Sequence, residues 1–199
     1  MPRLVTTIRP QIGTVSYTDL RTITIADLPG LIEGAHANYG LGHKFLKHIE
    51  RTRLLLLMVD IFGFRLSPKH PHRNCMENIY ALNKELELYN PSLLEKPSVL
   101  LVNKMDCPEA AELLQGIKSN IENLEIGLAQ CPDEIRPHKL MKFKSIIPIS
   151  AKNSARVNEV KRDLRLVLDK LAEELFVENE ETIVEKLKFK VGERGPKVT

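Results

Sequence analysis

The 199 residues suit one ordinary domain, or one domain with a tail, and a content of 43% apolar and 28% charged residues is that of a globular protein rather than a disordered or fibrous one. A net charge of only +3 gives no global electrostatic case for a nucleic-acid partner. Three scattered cysteines (75, 107 and 131) without a CxxC pair argue against a disulfide framework or a zinc site, and the longest apolar stretch, Leu54 to Val59, is too short to cross a membrane.

In chain order, Met1-Pro2-Arg3-Leu4 carries neither a signal-peptide core nor a transit-type stretch. Ile12 to Tyr17 and Arg21 to Ala26 read as strands joined at Thr18-Asp19, a hairpin. Leu41 to Arg53 reads as a basic helix, followed by the apolar strand Leu54 to Val59. His70-Pro71-His72 falls in a Pro-rich loop with no carboxylate or cysteine spacing to complete a metal site. Cys75 to Tyr89 has helical spacing, and Pro91 breaks it. Ser98 to Val102 reads as a second buried strand, 108–123 as a helix, and Ile146 to Ile149 as a third strand. Val157, Val160, Leu164, Val167, Leu168, Leu171 and Leu175 then repeat at helical spacing. After Phe176 the composition becomes charged, which sets residues 176–199 apart as a tail. Apolar runs separated by helices are the mark of a parallel sheet covered on both faces, so the expected fold is an α/β doubly wound sheet whose ligand sits at the carboxyl ends of the strands.

Each candidate motif falls at such an end. Asn103-Lys104-Met105-Asp106 follows the strand ending at Val102. A carboxylate there can accept from both N1–H and the 2-amino group of guanine, a pattern adenine does not offer. Lys104 can lay its stem over the base, and Asn103 can tie neighbouring loops together. The same tetrapeptide also suits an exposed polar turn. Asp27-Leu28-Pro29-Gly30 closes the second hairpin strand. Asp27 can hold Mg²⁺ through water and the Gly30 amide can approach a γ-phosphate, although a Pro-Gly turn is a common way to leave any strand. Ser150-Ala151-Lys152 follows Ile149 and can present backbone amides to guanine O6, while Thr7, in Thr6-Thr7-Ile8-Arg9-Pro10, can ligate Mg²⁺ through its hydroxyl.

The wording Thr6-Thr7-x-x-Pro10-x-x-Gly13, then 26–35 (ADLPGLIEGA), then 40–52 (GLGHKFLKHIERT), resembles the switch regions and following helix of the Obg subfamily of P-loop GTPases. The resemblance covers about residues 5 to 175 and implies a partial Ras-like GTPase domain over 1–175 that starts at switch I. It implies that Thr7 is the switch I Mg²⁺ ligand, that Asp27 to Gly30 contact the triphosphate, and that Asn103 to Asp106, with Ser150 to Lys152, read guanine. Leu31 stands where Ras-like enzymes place a water-orienting glutamine, so slow GTP turnover is implied, with K⁺ or a ribosomal partner as helper. The implied role is a switch in assembly of the large ribosomal subunit, on the particle or its rRNA precursor, in the mitochondrion or alternatively the nucleolus.

One departure is severe. No G-x-x-x-x-G-K-[ST] occurs in the 199 residues, and with it are missing the amide cradle, the phosphate-binding lysine and one Mg²⁺ ligand. In a Ras-like sheet the strand before that loop is central, so its loss leaves two interior edges unpaired or forces them together. At about 1–3 kcal/mol per unpaired buried group, against a typical stability of about 5–15 kcal/mol, the isolated chain is expected to be poorly stable and without measurable GTPase activity. The competing expectation is a non-catalytic ribosome- or RNA-interacting module that has lost nucleotide control, favoured by the missing phosphate loop; a general RNA-binding protein has only the cations of helix 41–53 behind it.

Overall fold

The computed structural model describes residues 11–27, 49–65 and 71–192, the last stretch as backbone alone at 175 and from 178 onward. The chain divides into two compact units, Met1–Lys161 and Arg162–Thr199.

The first unit carries every strand among the described residues. β1 (Gln11–Ser16) and β2 (Thr22–Asp27) form an antiparallel hairpin in register Ser16↔Thr22 to Gln11↔Asp27. Its turn is closed by Leu20 N–H donating to Tyr17 C=O at 3.1 Å and Tyr17 N–H to Arg21 C=O at 2.9 Å, with Leu20 at φ 65°. That left-handed residue after a tight turn gives the hairpin the twist its strands require. The Tyr17 hydroxyl donates to the Lys161 carbonyl at 2.6 Å.

β3 (Leu55–Asp60), β6 (Ser98–Asn103) and β7 (Phe143–Pro148) form a parallel sheet in the order β3-β6-β7. β6 lies in the middle, and Ser98 to Val102 are all buried. A run such as Val99 to Val102, apolar and buried on both faces, is what a central parallel strand demands. β7 is an edge strand, where Pro148, lacking an N–H, is tolerated opposite Val102. Between them, β4 (Phe64–Arg65) and β5 (His72–Arg73) form a two-residue antiparallel ladder. Gly63, at φ 72°, enters this ladder so closely that a Cβ would lie 1.9 Å from the Arg73 carbonyl oxygen.

The helices follow from caps and periodicity. α1 (Cys75–Tyr89) opens on a capping box: Asn74 Oδ1 accepts from Glu77 N–H at 2.9 Å, and the Glu77 carboxylate accepts from Asn74 N–H at 2.7 Å. It ends where Asn90 and Pro91 start a short 3₁₀ turn. α2 (Ala110–Glu122) and the single turn α3 (Glu125–Leu128) precede an irregular stretch to β7. Side chains of α1 order that stretch and the approach to α3. Tyr80 OH donates to the Leu124 carbonyl at 2.8 Å, and Asn83 Oδ1 accepts from Met141 N–H at 2.9 Å. The Glu87 carboxylate accepts from the N–H groups of His138 (2.9 Å) and Lys139 (2.8 Å). Ile79, Tyr80, Leu93, Leu100, Val102 and Ile121 form the centre of the core.

The mixed α/β architecture with a parallel sheet is the one expected from sequence. The hairpin and the three-stranded sheet share no ladder, however, so among the described residues the edge of β3 away from β6 has no partner strand. β3 alternates between buried and open positions, and Met58 is 53% exposed.

The second unit is described as helix. α4 (Val157–Gly192) begins in the first unit and continues well past Leu175, through the charged stretch read from sequence as a tail. Glu and Lys are good helix formers, and neither Gly nor Pro interrupts the run before Gly192. No helix among the described residues is long and apolar enough to cross a membrane.

Candidate guanine site and family

Three strand ends converge. Asp60 closes β3, Asn103 closes β6, and Ser150 follows β7 by two residues. Two backbone bonds splice the β6 and β7 exits: Ile149 N–H to Val102 C=O at 2.8 Å, and Met105 N–H to Ile149 C=O at 3.0 Å. The β3 exit joins them through Ile61 N–H to Asn103 C=O at 3.2 Å.

Asn103 is the knot between loops. Its Oδ1 accepts from Lys104 N–H at 2.8 Å and from Ala151 N–H at 3.0 Å. The Asn103 Nδ2 lies 3.9 Å from the Met58 sulfur. This bonding turns the chain so sharply that Lys104 sits at φ 70°, in the left-handed region. For a lysine that conformation costs about 1–2 kcal/mol, so the surrounding bonds must over-determine it. Cys107 N–H closes the turn on the Lys104 carbonyl at 3.2 Å.

Asp106 faces the β7 loop. Its Oδ1 accepts from Ser150 Oγ–H at 2.7 Å, and its Oδ2 lies 3.8 Å from Lys152 Nζ. The Ser150 hydrogen bond, helped by the charges of Lys152 and Lys104 and opposed by desolvation, holds the Asp106 carboxyl below its ordinary value of 3.8. A depressed pKa means the ionised form is present throughout the neutral range and is lost only as the pH falls through that value. A carboxylate has about four lone-pair directions, so both oxygens retain capacity for two further donors. Buried Ser150 is itself held by its N–H to the Ala155 carbonyl at 3.4 Å, a contact that rounds off the loop 150–155.

Of the residues singled out from sequence, the structure brings together Asn103, Lys104, Met105, Asp106, Ser150, Ala151 and Lys152. Asp27 lies elsewhere in the fold: it is the exposed last residue of β2, opposite Gln11, on the separate hairpin. Thr7, Leu28, Pro29 and Gly30, like Leu31, lie outside the described residues. Asp27 and Thr7 together would offer oxygen donors of the kind Mg²⁺ takes; no group of three or more possible metal ligands occurs among the described residues.

Asp60 was not singled out from sequence. Its Oδ2 lies 2.5 Å from Lys104 Nζ and its Oδ1 accepts from Phe62 N–H at 3.0 Å. Its charge also reaches Cys75, whose thiol is pushed up to about 12, chiefly by burial and further by Asp60. The only signal in the sequence was a carboxylate ending an apolar strand.

Polar loops gathered at the carboxyl ends of a helix-flanked parallel sheet define a nucleotide-binding domain of the Ras-like α/β class. Comparison agrees. Residues 2–104 match the family model described as 50S ribosome-binding GTPase. The chain is 64% identical over 194 residues to the GTP-binding protein 10 homolog of Drosophila melanogaster, covering 98% of this chain and 51% of that protein. It is 48% identical to GTPase Obg of Bacillus thuringiensis over 116 residues, 58% of this chain and 26% of that one. Among solved structures, Era in complex with MgGDPNP and a segment of 16S ribosomal RNA superposes with a TM-score of 0.54 at 22% identity, over 82% of this chain and 46% of that one. That likeness is one of fold. The chain belongs to the 50S ribosome-binding GTPase family, and it spans about half the length of the GTP-binding protein 10 homolog it matches.

Proposed function

We propose that this chain is the guanine-recognising part of an Obg-type GTPase that uses slow GTP hydrolysis as a switch in assembly of the large ribosomal subunit. The observation that carries the reading is the placement of the Asp106 carboxylate: ionised, held by Ser150 at 2.7 Å, and set between two loops spliced by Asn103. A carboxylate so placed selects for two adjacent donors, which guanine presents and adenine does not. Thr7 and Asp27 are the proposed Mg²⁺ ligands, Asp27 to Gly30 the proposed triphosphate contact, and K⁺ a proposed helper of hydrolysis. The family model's description as a 50S ribosome-binding GTPase supports the large ribosomal subunit, or its RNA precursor, as the proposed partner, and the mitochondrion, or alternatively the nucleolus, is the proposed location.

In this chain the hold on the phosphates is proposed to be impaired. No G-x-x-x-x-G-K-[ST] occurs in its 199 residues, and Asp27 lies on a ladder separate from the base-site sheet. These two observations favour a second reading, a non-catalytic ribosome- or RNA-interacting module without nucleotide control.

Titration with GDP and ADP, followed by ligand-observed NMR into the millimolar range, tests the first reading. GDP is expected to bind with ADP silent. Asp106→Asn is expected to weaken GDP by about ten- to a hundredfold, equivalent to about 1.5–3 kcal/mol for hydrogen bonds to a charged group. Equal binding of GDP and ADP, or an Asp106→Asn variant that binds as the parent does, contradicts guanine recognition. A folded chain blind to both nucleotides supports the second reading.

A further inference from the structure

We propose that Asp60 is a positioning residue for guanine recognition: its carboxylate anchors the ammonium of Lys104, so that the methylene stem of Lys104 stands ready as one wall of the base site. The proposal rests on the guanine reading of Asn103 to Asp106 and adds a residue from a different strand.

The geometry is built from three constraints. Asp60 and Asn103 are direct partners across the β3–β6 ladder, so the carboxylate and the Lys104 backbone are set at adjacent strand ends. The Asp60 carboxylate is fixed at both oxygens, Oδ1 by Phe62 N–H at 3.0 Å and Oδ2 by Lys104 Nζ at 2.5 Å. The Lys104 backbone is fixed in the left-handed region by the bonds around Asn103. A flexible four-carbon stem is therefore held at both ends.

Stability does not account for the pair. The Lys104 side chain is 56% exposed while that of Asp60 is 16%, and an ion pair whose ammonium end is open to water adds little to folding. What it does is remove rotamer freedom. A lysine that must be ordered when a ligand arrives loses affinity by about an order of magnitude relative to one ordered beforehand. The pair also sets the direction of the stem, because the carboxylate draws the ammonium toward the end of β3.

Asp60→Asn is the informative change. An amide oxygen still accepts from Phe62 N–H, so the turn after β3 keeps its bond while Lys104 loses its counter-charge. By Coulomb's law alone, deleting a carboxylate near an anionic nucleotide should strengthen binding; positioning predicts the reverse. The test titrates GDP, and guanosine as an uncharged control, into the full chain by ligand-observed NMR. Four proteins are compared: the parent, Asp60→Asn, Lys104→Met and the double variant. Thermal unfolding is recorded for each.

The expected result is a loss of about five- to tenfold for Asp60→Asn with both ligands, at an unchanged unfolding temperature. On the Lys104→Met background, which keeps the stem and removes the charge, Asp60→Asn should change affinity by less than about twofold. Unchanged or tighter binding by Asp60→Asn overturns the proposal, and so does an equal loss in both backgrounds, since Asp60 would then act without Lys104. In either case guanine recognition itself stands. A parent chain that binds neither GDP nor guanosine sinks the guanine reading and this inference with it.

Discussion

At the scale of single residues, the site is a set of side chains whose partners lie in other loops. Asn103 serves Ala151, Ser150 serves Asp106, and Asp60 serves Lys104. The sequence displays five of these six residues because their types and spacing carry chemistry at strand ends. It does not display Asp60, since an aspartate ending a strand is ordinary until the ladder sets it opposite Asn103. The same neighbourhood predicts thiol reactivity. Cys75 and Cys131 are buried, Cys107 has partial access, and burial raises the Cys75 thiol to about 12. A raised thiol pKa means the reactive thiolate is scarce at every pH below that value. With iodoacetamide at about pH 8.5, mass spectrometry should find Cys107 alkylated first and Cys75 only on unfolding. Labelling of Cys75 at the rate of Cys107 in the folded chain would contradict the buried placement.

At the scale of elements, periodicity and caps made most of the architecture readable. The hairpin, β3, β6, α1 and α2 lie within a residue or two of their expected bounds, because each has an unbroken apolar pattern and a chemical stop. The β4–β5 ladder, the single turn α3 and the 3₁₀ turns leave no such pattern. They exist because tertiary partners hold them, as Arg73 holds the chain beside Gly63. α4 ran past its expected end because apolar spacing, which marks a buried face, is silent about a helix made of charged residues. The sheet itself predicts unequal sensitivity to truncation. Leu100, fully buried on the central strand, should cost about 2–5 kcal/mol when changed to Ala. Met58, 53% exposed on β3, should cost well under that, within about 1 kcal/mol. Urea unfolding of the two variants checks the ranking; equal losses would mean that the open face of β3 is covered in solution.

At the scale of the whole molecule, the separation of the β1–β2 hairpin from the three-stranded sheet sets how the protein holds together. Hydrogen bonds within one ladder break as a group, whereas bonds in different ladders have no such obligation. β6 amides are sealed inside the core, while the hairpin is exposed along most of its length. Native-state amide exchange should therefore resolve two opening units, with the β1–β2 amides exchanging far sooner than those of β3 and β6. A single uniform protection level across both would refute that division. Where two such units open independently, whatever clasps both ends of one ligand acts as a staple. Its binding would show first as slowed exchange in the hairpin, long before the melting of the central strands registered any change.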